Sequence, residues 1–174
     1  MAIWNLDTAH SEIEFKVRHM MISSVKGQFE NFEVSIDSPS DDISKGVVTV
    51  KIDTTSIDTK NEQRDNHLKS EDFFDAGKYP HITFVSTSVE GDVQDDFKIH
   101  GDLTIKGTTK PIVIKAEFGG MATDPWGNDK VGYTVKGSIN RSDFGLTWNA
   151  ALETGGVMVS EEVKFEGDLQ FVKS

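Results

Sequence analysis

Residues 97–118, FKIHGDLTIKGTTKPIVIKAEF, decide the fold class. Phe97, Ile99, Gly101, Leu103 and Ile105 alternate with Lys98, His100, Asp102, Thr104 and Lys106. After a turn signal at Gly107-Thr108-Thr109-Lys110-Pro111, the pattern resumes as Ile112, Ile114, Ala116 and Phe118. A period of two places successive side chains on opposite faces of an extended strand, so each strand has one dry and one charged face. The same alternation extends in both directions. Upstream, Ile13, Phe15 and Val17 alternate with Glu12, Glu14, Lys16 and Arg18, and the run ends on His19. Val25, Gly27 and Phe29 resume out of phase as Phe32, Val34 and Ile36, which predicts a β-bulge at Glu30-Asn31. Val48, Val50 and Ile52 form a further run. Downstream come Val131, Tyr133, Val135, Gly137 and Ile139, then Val163, Phe165, Gly167, Leu169 and Phe171. From His81 to Glu90 the phase is open, because Phe84 and Val85 compete for the interior.

Residues 59–75, TKNEQRDNHLKSEDFFD, break the pattern. They predict one short helix from Asn61 to Lys69, capped by Thr59 or Asn61, and a turn carrying Phe73-Phe74. About eight long antiparallel strands must hide their dry faces, and a closed barrel does so while abolishing edges. The expectation is one all-β domain over residues 1–174, an eight-stranded antiparallel barrel with a single helical insertion. Inward Gly101, Gly137 and Gly167 among aromatic residues suggest room inside for a ligand, with sharp bends as the alternative.

A formal charge of −11 with no run of Lys or Arg argues against nucleic acid and anionic membrane surfaces, which need clustered cations. There are no cysteines, so disulfides and thiolate chemistry are excluded. The opening Met1-Ala2-Ile3-Trp4-Asn5-Leu6-Asp7 has neither a basic nor an apolar leader segment, and no later run is apolar enough to span a membrane. A cytoplasmic location is expected. No histidines have metal-ligand spacing, and His19 reads better as a hydrogen-bonded residue at the barrel rim. G-x-S-x-G and glycine-rich phosphate motifs are absent, and the 29 carboxylates mostly alternate outward with lysines as a solvated face. Two polar clusters stand out, Arg64-Asp65-Asn66-His67-Leu68 and Asn140-Arg141-Ser142-Asp143-Phe144-Gly145. Their arginines either receive an anionic head group or tie loops to the barrel, and the second reading is favoured.

The run Ser56-Ile57-Asp58-Thr59, Arg64-Asp65, His67-Leu68, Asp72-Phe73-Phe74-Asp75 and Tyr79-Pro80 with Phe84 resembles the signature of YceI-like domains. Supporting matches are Asp7 with His10-Ser11, Phe15 with His19, Gly27 with Phe29, Gly101-Asp102-Leu103-Thr104-Ile105 with Gly107, and the segment Asn140 to Gly145. The resemblance covers essentially the whole chain. It implies an extended, lipocalin-like eight-stranded barrel whose tunnel accommodates a polyisoprenoid or other long-chain amphiphile, frequent homodimers, and no established catalysis. Many relatives carry a signal peptide, and from the opening residues none is expected here.

Alternation and bulge phase place Ile13, Phe15, Val17, His19, Phe29, Phe32, Val34, Phe84, Ile99, Leu103, Ile114, Val135 and Phe165 on the ligand-facing wall, with Arg64 and Arg141 as its polar groups. The expected function is non-enzymatic binding of a polyisoprenoid, quinone or fatty-acid-type lipid, for carriage, storage or stress response. No metal or other cofactor is expected. Two alternatives stand beside it. One is an enzyme acting on a hydrophobic substrate in the same tunnel through His19 or the arginine clusters. The other is a stress-associated interaction module whose surface would use Trp4, Trp126 and Trp148.

Overall fold

The alternating runs pair as eleven strands in one sheet. The computed structural model describes residues 2–19, 23–39, 43–149 and 159–173. In chain order the strands are β1 (Ala2–Leu6), β2 (Glu12–His19), β3 (Ser23–Phe29), β4 (Phe32–Ser38), β5 (Val47–Asp53) and β6 (Ile57–Asp58). After helix α1 (Glu62–Lys69) follow β7 (His81–Gly91), β8 (Asp96–Ile105), β9 (Thr108–Thr123), β10 (Asp129–Asn140) and β11 (Val159–Lys173).

Closure comes from β11. One edge pairs with β10, and the other pairs with β1 near its end and with β2 near its start. In turn β1 pairs β4 and β2 pairs β3, while β4 pairs β5 and β3 pairs β6. Each of β1/β2, β3/β4 and β5/β6 is therefore one bent stave, and the whole is a closed antiparallel barrel of 8 staves joined in sequence order. Closure leaves no free edge along most of the wall, which suits an antiparallel sheet with a charged outer face.

The bends have local causes. The side chain of Asp7 accepts from the backbone N–H of Ala9 and starts the short 3-10 turn Thr8–His10. Asp53 does the same for the 3-10 turn Thr54–Ser56 through the N–H of Thr55. Between β3 and β4 the predicted phase slip is a two-residue bend rather than a bulge within a strand. There the N–H of Glu30 donates to Ser56 O (3.1 Å) and Asn31 O accepts from the N–H of Asp53 (3.0 Å), so both residues stay tied to the neighbouring stave.

The structure also resolves the ambiguous strand. Phe84 is 3% exposed and Val85 45% exposed, so even positions face inward at first. A register shift between Ser86 and Ser88 reverses the phase and returns Val89 to the interior side. One turn reads differently from the sequence. The β8–β9 hairpin is the pair Lys106-Gly107, both at positive φ (51° and 77°), and Thr108 onwards is already strand. Two such residues match the twist of flanking strands. Pro111 is tolerated in β9 because β10 pairs with β9 only as far as Lys115, leaving that side of Pro111 without a ladder to break.

The topology brings the β6–β7 connection with α1, the β8–β9 hairpin and the end of β10 to one end of the barrel. At the opposite end Trp4, Ile36, Val131 and Phe171 are buried and close the floor.

Candidate functional site

The inward faces enclose a cavity of about 560 Å³ that extends from α1 into the barrel. Its wall collects Ile13, Phe15, Val17, Phe29, Val34, Phe84, Ile99, Leu103, Ile114, Val135 and Phe165, with Arg64 and Arg141 at the α1 end. Phe32 is the exception. It faces inward and packs half-buried against the core, but does not reach the cavity. It directly follows the Glu30–Asn31 bend and is held in the wall opposite Ile52. The side chain of His19 lies outside the described residues. The insertion contributes Leu68, Phe73 and Phe74, which strand periodicity cannot assign to a wall.

The inward glycines act in a different way from simple room-making. A Cβ on Gly27 would sit 2.3 Å from Phe15 Cζ, one on Gly101 2.5 Å from Phe84 Cζ, and one on Gly137 2.6 Å from Phe165 Cζ. Each of these three glycines makes way for a phenyl ring from a neighbouring strand, whereas a Cβ on Gly167 would meet Glu12 O and Val135 Cγ2, both at 3.2 Å.

At the mouth, the side chain of Asn61 accepts from the N–H of Arg64 (3.0 Å) and caps α1. The buried Thr59 anchors the helix. Its N–H and hydroxyl donate to Asp65 Oδ1, while Arg64 Nε donates to Thr59 Oγ1 (2.8 Å) and Arg64 Nη2 to Thr59 O (2.7 Å). His67 lies against Trp148 and Phe73 edge-on, with centroids 4.8 and 5.0 Å apart, and its Nε2 is 2.8 Å from Asp72 Oδ2. The three tryptophans are therefore not one surface. Trp4 is in the floor, Trp148 is at the mouth, and Trp126 is 83% exposed on the β9–β10 turn.

Arg141 lines the cavity, but its guanidinium is committed elsewhere. It is 2% exposed and donates from Nε to Ser160 O (2.9 Å), from Nη1 to Leu146 O (2.6 Å) and Trp148 O (2.8 Å), and from Nη2 to Val159 O (3.2 Å). Burial lowers its pKa from the ordinary arginine value, and nearby Glu161 opposes that effect. The geometry supports the loop-tying reading of Arg141 over an anion receptor. Arg64 differs, since its Nη1 makes no hydrogen bond among the described residues. At the far end, Asp7 accepts from His10 Nδ1 (2.9 Å) and Lys130 Nζ (3.4 Å). The His10 bond chiefly holds its carboxyl below the usual carboxylate range. Among the described residues, no group of three or more His, Asp or Glu side chains could hold a metal ion.

An antiparallel up-and-down barrel with a helix at one end and an apolar lumen has lipocalin-like architecture. The chain belongs to the YceI family, whose YceI-like domain model matches residues 4–171. A UPF0312 protein of Staphylococcus aureus is 45% identical over 172 residues, 98% of each chain, and one of Staphylococcus epidermidis is 42% identical over the same span. Among solved structures, the Campylobacter jejuni YCEI protein is similar at 39% identity and a TM-score of 0.69, covering 91% of this chain and 94% of that one. Two more distant neighbours share the fold. Burkholderia cenocepacia BcnA has a TM-score of 0.81 at 22% identity, over 95% of this chain and 98% of that one. A polyisoprenoid binding domain from Saccharophagus degradans, implicated in plant cell wall breakdown, has a TM-score of 0.76 at 16% identity, over 98% of each. Of the residues that carried the resemblance, Thr59, Arg64 and Asp65 fasten α1 and Asp7 caps a turn, while Phe15, Phe29, Phe73, Phe74, Phe84 and Leu103 line the cavity. No helix among the described residues is long and apolar enough to cross a membrane.

Proposed function

We propose that this chain binds a long-chain amphiphile, an isoprenoid, quinone or fatty-acid-type lipid, in the barrel lumen without catalysing a reaction on it. The observation that carries this reading is one apolar cavity of about 560 Å³ running through the barrel interior. That volume lies within the range of small-molecule sites, roughly 300–1,000 Å³. Each methylene moved from water into such a wall contributes about 0.8 kcal/mol. A chain of about 20 carbons therefore gains on the order of 16 kcal/mol gross, much of it offset by ordering, so micromolar to nanomolar affinity follows. The polyisoprenoid binding neighbour of the same fold supports the choice of ligand class. An enzymatic reading would require a titratable lumen group beside a partner it can work with. His67 lines the lumen, but its partner Asp72 is exposed outside the lining, and Arg141 is bound to carbonyls, so the apolar wall carries the binding reading.

Native mass spectrometry of protein purified from its own host, with lipid extraction, tests the proposal. The expected result is a bound apolar molecule that is released on denaturation and exchanges with added lipid. A lumen that neither carries nor takes up any lipid would overturn it. Storage or carriage in the cytoplasm by a homodimer, with a stress role, is the finer form of this proposal. Cell fractionation and size-exclusion chromatography check its location and oligomeric state.

A further inference from the structure

Deep in the apolar part of the lumen, away from the polar residues of the α1 end, Tyr133 carries a hydroxyl that the fold does not use. Tyr133, on β10, lines the cavity and is 7% exposed, yet its hydroxyl has no hydrogen-bond partner among the described residues. The phenol ring is held by three others, Phe97, Phe118 and Phe171, at centroid distances of 5.6, 5.9 and 6.3 Å. The arginines that line the cavity, Arg64 and Arg141, sit at the opposite, α1 end. Burial alone pushes the Tyr133 phenol up to about 12, so it is a neutral donor at physiological pH.

A hydroxyl on an apolar lumen wall without a protein partner favours any molecule that brings it an acceptor. The surroundings restrict which acceptor. An ionised carboxylate or phosphate would lose its hydration here with no cation to balance it, whereas an uncharged carbonyl, ether or hydroxyl oxygen is readily desolvated. We infer that the deep end of the lumen is a hydrogen-bond-donating subsite centred on Tyr133, which takes an uncharged acceptor oxygen at the leading end of the bound chain. The inference rests on the lumen-binding reading above and adds a direction: the oxygen-bearing end enters first, and the rest of the chain trails toward α1.

The test displaces the neutral dye N-phenyl-1-naphthylamine from wild type and from Tyr133→Phe with dodecane, dodecan-2-one and laurate. Wild type is expected to bind the ketone about fivefold or more tightly than the alkane. Tyr133→Phe should abolish that preference while dodecane affinity stays within about twofold, which also shows that the variant is folded. Laurate should be indifferent to the substitution, because its carboxylate stays at the mouth. A ketone preference that survives in Tyr133→Phe, no preference in wild type, or a laurate affinity that falls with the hydroxyl would overturn the subsite. If dodecane binds and the ketone shows no advantage, only the subsite fails. If none of the three displaces the dye, the lumen-binding reading fails with it.

Discussion

At the scale of single residues, Arg141 and Tyr133 show two fates for a polar group inside an apolar barrel. Arg141 satisfies four backbone carbonyls from one planar fork, joining the start of β11 to the turn after β10. A lysine there keeps the charge but offers a point donor that cannot span those oxygens. Arg141→Lys should therefore destabilise the protein by about 2–4 kcal/mol in urea unfolding, since buried carbonyls are left unpaired. Arg64→Lys, half-buried at the mouth, should cost under about 1 kcal/mol. Equal losses for the two would contradict the loop-tying role. Tyr133 makes its own prediction. The unfolded chain releases the phenol proton near the ordinary 10.0 and the folded one near about 12, so the folded state holds it more tightly. That contribution is intact below pH 10 and is lost as the pH rises toward about 12. Wild type should lose more stability between pH 9 and pH 11 than Tyr133→Phe does, by on the order of 1–2 kcal/mol. Parallel losses would show that the phenol ionises as freely folded as unfolded.

Among the elements, α1 is the one most exposed to local opening. It is eight residues long, buries none of them fully, and depends on its cap and on the Thr59–Arg64–Asp65 network. Asn61→Ala should cost about 1 kcal/mol. Hydrogen exchange should show the effect at the amides of α1, with those of β8 and β9 unchanged. Uniform acceleration would mean instead that the helix opens only with the barrel. This helix was legible in the sequence because the loss of alternation marks it without tertiary help, while the choice of Asn61 over Thr59 as its cap came only with the fold, which ties Thr59 to Asp65 and Arg64 instead. Strand faces were legible for the same local reason, and eleven of the thirteen strand residues named from periodicity line the cavity. Phe32 is not among them because a phase argument gives the face of a strand, and depth beside a bend depends on how the stave turns. The role of the glycines was hidden too. Gly27 and Phe15 are partners only in the folded register, so the ring seated on the glycine cannot be read along the chain. Tyr133 was placed on the inward face by alternation, but an unpartnered hydroxyl is a property of the packed interior.

For the molecule as a whole, closure is the property no single stretch encodes. It depends on β11 being long enough to meet β10 on one side and both β1 and β2 on the other. The seam at β1 is short, with three pairs to β11 and four to β4, and Trp4 is its buried anchor at 3% exposure. Trp4 Nε1 is the buried side-chain donor left without a partner among the described residues, so this residue holds the seam by volume and apolar contact. Trp4→Phe should then lose no hydrogen bond and cost under about 1.5 kcal/mol. Trp4→Ala leaves a cavity against the floor and should cost about 3–5 kcal/mol. If the seam closes the lumen, Trp4→Ala should also weaken retention of a lumen-bound dye, while Trp4→Phe retains it. Trp126, equally aromatic but exposed on its turn, supplies the control, and Trp126→Ser should leave both stability and retention unchanged. Parallel urea unfolding and dye-release measurements on the three variants decide the matter. A Trp4→Phe loss as large as that of Trp4→Ala would mean that the indole nitrogen has a partner and that the seam is held by polarity.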